Sequence, residues 1–198
     1  MLRHLAFLAL AVVITAATAP VSAQSVADAA LLRLDDLPAG WSLTGADTPV
    51  GTGAVGDECG AGPPVVPVSS AVAQFQAGPD GPFLIHSIAV FAPGDVERAW
   101  AYLVEDWSGC GGTRPEDPPF SPLPIPGLGD YRITRELILS QPPVSARLQV
   151  AIWRRGDAIA TINLAGDVAR GGVETALIER LARLVDQRLL HPAAGKGS

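Results

Sequence analysis

The sequence predicts an α+β fold, an antiparallel β-sheet with N-terminal, central and C-terminal helices packed on it. Three observations predict it. Segments of helical and of strand-like spacing follow one another as helix, strands, helix, strands, helix. One strand-like segment is apolar on both faces, as in a strand that is central or sandwiched, and two others form a hairpin around a Gly-Asp turn. The chain has 198 residues, 48% hydrophobic and 17% charged, which suits one domain with a sizeable core.

The N-terminus reads as an export signal. Met1-Leu2-Arg3-His4 is short and basic, Leu5 to Ala17 is apolar but for Thr15, and Val21-Ser22-Ala23 supplies a small-x-small site. Cleavage is expected after Ala23. The alternative is a retained anchor helix, but the apolar run is short of the roughly 20 residues that span a bilayer. The expected organisation is a signal peptide over 1–23, one secreted α+β domain over 24–190 and a disordered tail over 191–198. No later apolar run reaches membrane length.

Ser25 to Leu37 is expected to be helical. Ser25-x-x-Asp28 is a capping pattern, and Ala27, Ala30, Leu31 and Leu34 share a helical face. Pro38-Ala39-Gly40 stops it. Trp41 to Thr44 begins a strand, and the Gly-, Asp- and Pro-rich stretch up to Pro67 is a surface loop. Ala71 to Gln76 and Phe83 to Phe91 are strands joined by the turn Gly78 to Pro82.

Asp95 to Trp107 is the clearest helix, with Val96, Ala99, Trp100, Leu103, Val104 and Trp107 on one stripe. Thr113 to Gly129 is Pro-rich and reads as a lid or an insertion. Tyr131 to Leu139, Arg147 to Trp153 and Ala158 to Leu164 are strands, and Gly156 supplies the positive φ of the hairpin turn. Val173 to Leu190 is the last helix. Leu177, Ile178, Leu181, Leu184 and Val185 form its core stripe, with Glu174, Arg180, Arg183 and Asp186 opposite.

Charge and cysteine usage narrow the partners and the compartment. With 20 acidic against 14 basic side chains the formal charge is −6, and Lys196 is the single lysine. Such a chain lacks a phosphate-tracking surface, so nucleic acid is not an expected partner. Cys59 and Cys110 are an even pair in an exported chain, which predicts a disulfide. Closing a loop of about fifty residues stabilises by roughly 4 kcal/mol on the chain-entropy model.

Several short segments carry a resemblance. Asp36-Leu37-Pro38-Ala39-Gly40-Trp41 is similar to a recurring opening of actinobacterial secreted proteins. Trp107-x-x-Cys110 followed by Gly111 resembles the tryptophan–cysteine segment of mycobacterial receptor-kinase sensor domains. Ile125-Pro126-Gly127-Leu128-Gly129-Asp130 and Trp153-Arg154-Arg155-Gly156-Asp157 are similar to segments of the same broad set. The resemblance implies a sensor-domain-like or PsbP-like lipoprotein fold, and extracytoplasmic ligand or partner binding without catalysis. The kinase sensor domains typically carry a second disulfide, which two cysteines do not provide.

Candidate chemistry is sparse. His86 stands beside Ser87 in a strand, where neighbours face opposite ways and do not pair as nucleophile and base. A structural histidine is the simpler reading. The acidic pairs Asp35-Asp36, Asp57-Glu58, Glu105-Asp106 and Glu116-Asp117 lack Ca²⁺-loop spacing, so no metal site is expected. Arg155-Gly156-Asp157 spells an adhesion tripeptide but falls where a hairpin needs its turn. Pro115 to Pro126 is a candidate polyproline segment, with a linker or lid as the plainer reading. No cofactor motif is present: Gly109-Cys110-Gly111-Gly112 follows a helix, the wrong context for a nucleotide cradle.

Trp41, Trp100, Trp107 and Trp153 are the candidate ligand-binding residues, with core packing as the alternative for Trp100 and Trp107. The expected function is a secreted, non-catalytic, sensor-like binding protein. It would hold an apolar small molecule or lipid between helices and sheet, with the Pro-rich segment as rim. The alternative is an extracytoplasmic interaction module for an envelope protein, with no small-molecule ligand.

Overall fold

The computed structural model describes residues 23–47, 65–110, 120–141 and 144–192. The elements run α1 (Ala23–Ala30), β1 (Trp41–Asp47), β2 (Ser69–Ala77), β3 (Phe83–Val90), α2 (Asp95–Cys110), β4 (Ser121–Pro122), β5 (Tyr131–Gln141), β6 (Val144–Arg155), β7 (Ala158–Asp167) and α3 (Thr175–Leu190). The seven strands form one antiparallel sheet in the order β1-β2-β3-β7-β6-β5-β4. The α+β expectation holds.

Side-chain alternation puts helices on both faces. Ala151 and Trp153 of β6, with Leu84 and Ile88 of β3 and Ile162 and Leu164 of β7, join α1 and α3 in one core. The intervening Val150, Ile152, Ala89 and Ile159 meet Val96, Ala99 and Leu103 of α2 in a second. The β3 strand is covered on both faces only from His86 onward; Phe83 and Ile85 at its start are exposed on the α2 side, contrary to the expectation of a strand buried on both faces. Each fully buried large aliphatic side chain contributes on the order of 1.5–3 kcal/mol. The hairpin turn forms as expected, with Gly156 at φ 56°.

The N-terminal helix is shorter than its apolar spacing suggests. The segment expected as one helix over Ser25–Leu37 is α1 followed by a separate 3₁₀ turn, Leu34–Asp36. The Leu32 amide donates to His86 Nδ1 at 3.0 Å instead of to a helical carbonyl, so the ladder ends there. Ala27 and Ala30 are buried, whereas Leu34 is exposed. At the other end, α3 begins at Thr175 rather than Val173.

Two further expectations change. The described part of the Pro-rich segment is neither lid nor rim, because Leu123, Ile125 and Leu128 are buried in the α1/α3 core and Ser121–Pro122 pairs with β5. Asp186, assigned to the polar side of the last helix, is buried there against Arg155. All but Ala23 of the expected signal peptide, most of the 191–198 tail, Cys59 and the side chains of Trp107 and Cys110 lie outside the described residues. Among the described residues, no helix is long and apolar enough to cross a membrane.

Candidate functional site

A groove of about 460 Å³ opens beside the N-terminal end of α3. Pro38 and Trp41 come from the segment entering β1, and Pro82 from the β2–β3 turn. Gly172, Val173 and Glu174 come from the loop before α3, and Ala176, Leu177 and Arg180 from its first turns. The volume lies within the range of small-molecule sites, roughly 300–1,000 Å³. Its walls are mainly apolar, with one acid and one base among them.

Each wall is fixed by longer-range contacts. Trp41 is half-buried, pairs with Ala77 across β1–β2, and packs against the α1/α3 core. The chain leading to it is clamped at Asp36. Arg188 of α3 gives two bonds to the Asp36 carboxylate, at 2.8 and 2.7 Å, and one to the Leu31 carbonyl at 3.0 Å. Arg180 donates to the Asp36 carbonyl at 3.0 Å. Burial works to raise the Asp36 carboxyl, but the Arg188 hydrogen bond, the Arg33 amide and the nearby guanidinium charges hold it below its ordinary value.

The α3 wall is anchored from the sheet. Gln149, fully buried on β6, donates to Thr175 Oγ1 at 2.9 Å and to Glu136 at 2.8 Å. Arg147 reaches the Val173 carbonyl at 3.3 Å. Farther along the helix, Arg155 makes two bonds to Asp186, at 2.9 and 2.6 Å, and one to Asp130 at 2.8 Å. The Asp186 hydrogen bond leads the causes that raise the Arg155 pKa. The arginine of the Arg-Gly-Asp turn is therefore turned inward and engaged, not offered to a receptor.

The three tryptophans whose side chains are described stand apart. Trp41 lines the groove; Trp153, on the same side of the sheet, is fully buried in the core. Trp100 is on the opposite side, packed with the α2 core and 6.1 Å from the Tyr131 ring. Arg154 lies over that Tyr131 ring at 5.5 Å. The groove's Pro38, Pro82, Leu177 and Arg180 were not legible as site residues. Both prolines read as chain breaks and Leu177 as core, and only tertiary folding brings them together.

His86 is sealed in the core. Its Nδ1 accepts the Leu32 amide, so a neutral ring carries its proton on Nε2, and burial pushes the pKa down to about 3. The Arg188 charge acts the same way and the Asp36 charge opposes it. A ring placed so does not serve a substrate as general base. Among the described residues no three His, Cys, Asp or Glu side chains gather as a metal site.

Comparison with solved structures gives a fold-level likeness. The extracellular domain of PknH from Mycobacterium tuberculosis superposes with a TM-score of 0.55 at 11% identity, over 88% of this chain and 99% of that one. The two share a fold. The likeness is consistent with the sensor-domain resemblance, and the PsbP-like expectation gains no support from it. No family model matches the chain, and no curated protein matches it.

Proposed function

We propose that the chain is a secreted, non-catalytic, sensor-like binding domain whose ligand occupies the Trp41 groove. The single observation carrying this reading is the groove itself, an apolar concavity whose two sides are pinned by Asp36–Arg188 and Gln149–Thr175. A pre-shaped cleft lowers the ordering cost of binding. The basic-apolar-small pattern over 1–23 and the fold shared with an extracellular domain support an extracytoplasmic location. In that compartment Cys59 and Cys110 pair as a disulfide. The ligand presents an apolar face, as a small molecule or lipid does.

A second reading, a protein-interaction module without small ligand, has its own observation. Phe83 and Ile85 of β3 are exposed by 45% and 43% on the face that α2 covers only in part. Their cross-strand neighbours include Gln76, Gln74 and Asn163, which keep the patch narrow and favour the groove.

Native mass spectrometry of the protein secreted by its own host, beside Trp41→Ala, tests the proposal. A reproducible adduct lost in W41A, on a chain beginning at Gln24, is the expected result. A bare mass in both, with no thermal shift from either purely apolar ligands or short apolar peptides, overturns the groove and leaves the interaction module.

A further inference from the structure

We infer that the groove takes a short zwitterionic peptide, its ammonium at the Glu174 end, its carboxylate at the Arg180 end and an apolar side chain over Trp41 and Leu177. This rests on the groove being the ligand site, and it narrows the apolar-faced ligand of that reading to one chemical class.

The lining carries one charge of each sign. Glu174, the extended residue just before α3, and Arg180 in its second turn stand six positions apart, so their backbones are offset by on the order of 9 Å along the helix axis. An extended peptide covers roughly 3.3–3.6 Å per residue, so about three residues bring its two termini to the two side chains. Trp41, Pro38, Pro82 and Leu177 of the same lining offer apolar surface for a central side chain.

Both charges are available to a ligand. The Glu174 side chain makes no cap hydrogen bond to α3. Arg180 is oriented by its bond to the Asp36 carbonyl, and that bond uses one of the guanidinium's five N–H donors. A purely apolar ligand leaves these two exposed charges unmatched. A free-ended peptide pairs both.

The test uses the intact secreted protein and calorimetric titration with Ala-Leu-Ala and Ala-Phe-Ala. Each is tried with free ends, N-acetylated and C-amidated, with 1-decanol as an uncharged apolar probe. The inference expects the free-ended peptides to bind with Kd of about 0.1–1 mM. N-acetylation weakens binding about fivefold in the wild type but not in Glu174→Gln, and amidation does the same in the wild type but not in Arg180→Gln. Trp41→Ala loses at least tenfold.

Because Arg180→Gln also removes the bond to the Asp36 carbonyl, the Glu174→Gln arm stands by itself if that variant unfolds. Capped and free peptides binding alike, or decanol binding where peptides do not, overturns the peptide and leaves the groove. No Trp41-dependent heat with any probe overturns both.

Discussion

The backbone amide of Leu32 donates to Nδ1 of His86 at 3.0 Å, across 54 positions of sequence and inside the core. This bond ends α1, aims the following residues at Asp36, and so sets where Pro38 and Trp41 enter the groove.

The same bond gives the fold an acid-sensitive contribution. His86 protonates near 3 in the folded chain and near its ordinary 6.5 when unfolded. Its contribution is therefore fully present above pH 6.5 and is lost as pH falls towards 3, by up to ~1.4 kcal/mol per pH unit. Denaturant midpoints between pH 7.5 and 4.5 should fall in the wild type and stay flatter in His86→Gln, whose amide oxygen can accept the Leu32 bond. Equal slopes would mean that His86 is not the group responsible. Asp36, also held below its ordinary value, adds its own loss only at lower pH.

Arg188→Met should loosen the groove from the other side. The Arg188 and Asp36 side chains are 25% and 12% exposed, so the pair is largely shielded, and truncation leaves a carboxylate short of partners. A cost of about 2–3 kcal/mol is expected. Faster hydrogen exchange at Leu32 and Leu37 would accompany it.

Gly129→Ala tests the junction before β5. Gly129 has φ +58°, and a Cβ there would lie 2.6 Å from the Arg154 carbonyl oxygen and 2.9 Å from the Trp153 ring. Backbone strain and the clash together should cost about 2 kcal/mol or more, read as a lowered thermal midpoint. A serine should do no better, since the obstacle is the Cβ itself.

The tryptophans should separate by position. Trp153→Ala removes a fully buried ring and should cost about 3–5 kcal/mol. Trp41→Ala, in the groove wall, should cost roughly 1–2 kcal/mol while weakening ligand binding at least tenfold. Trp100→Ala should leave binding intact, because that ring packs on the other side of the sheet.

The sequence made the sheet legible because alternation is a local property. Leu148, Val150 and Ile152 against Ala151 and Trp153 mark two faces of β6 with no knowledge of its neighbours. The groove was legible only at Trp41. Its other walls meet through contacts such as Arg188–Asp36, separated by 152 positions, which leave no periodic trace. Asp186 followed the helical wheel onto the polar face, yet Arg155 from a hairpin 31 positions away compensates its burial. Leu123, Ile125 and Leu128 were hidden because the prolines around them removed the spacing that marks a core residue.

Side-chain indole NMR signals distinguish Trp41 from the other tryptophans as the ring that contacts the ligand. Titration with free-ended Ala-Leu-Ala should shift the Trp41 indole N–H progressively and leave those of Trp100 and Trp153 in place. A stationary Trp41 signal, with Trp100 or Trp153 moving instead, would place the ligand outside the Trp41 groove.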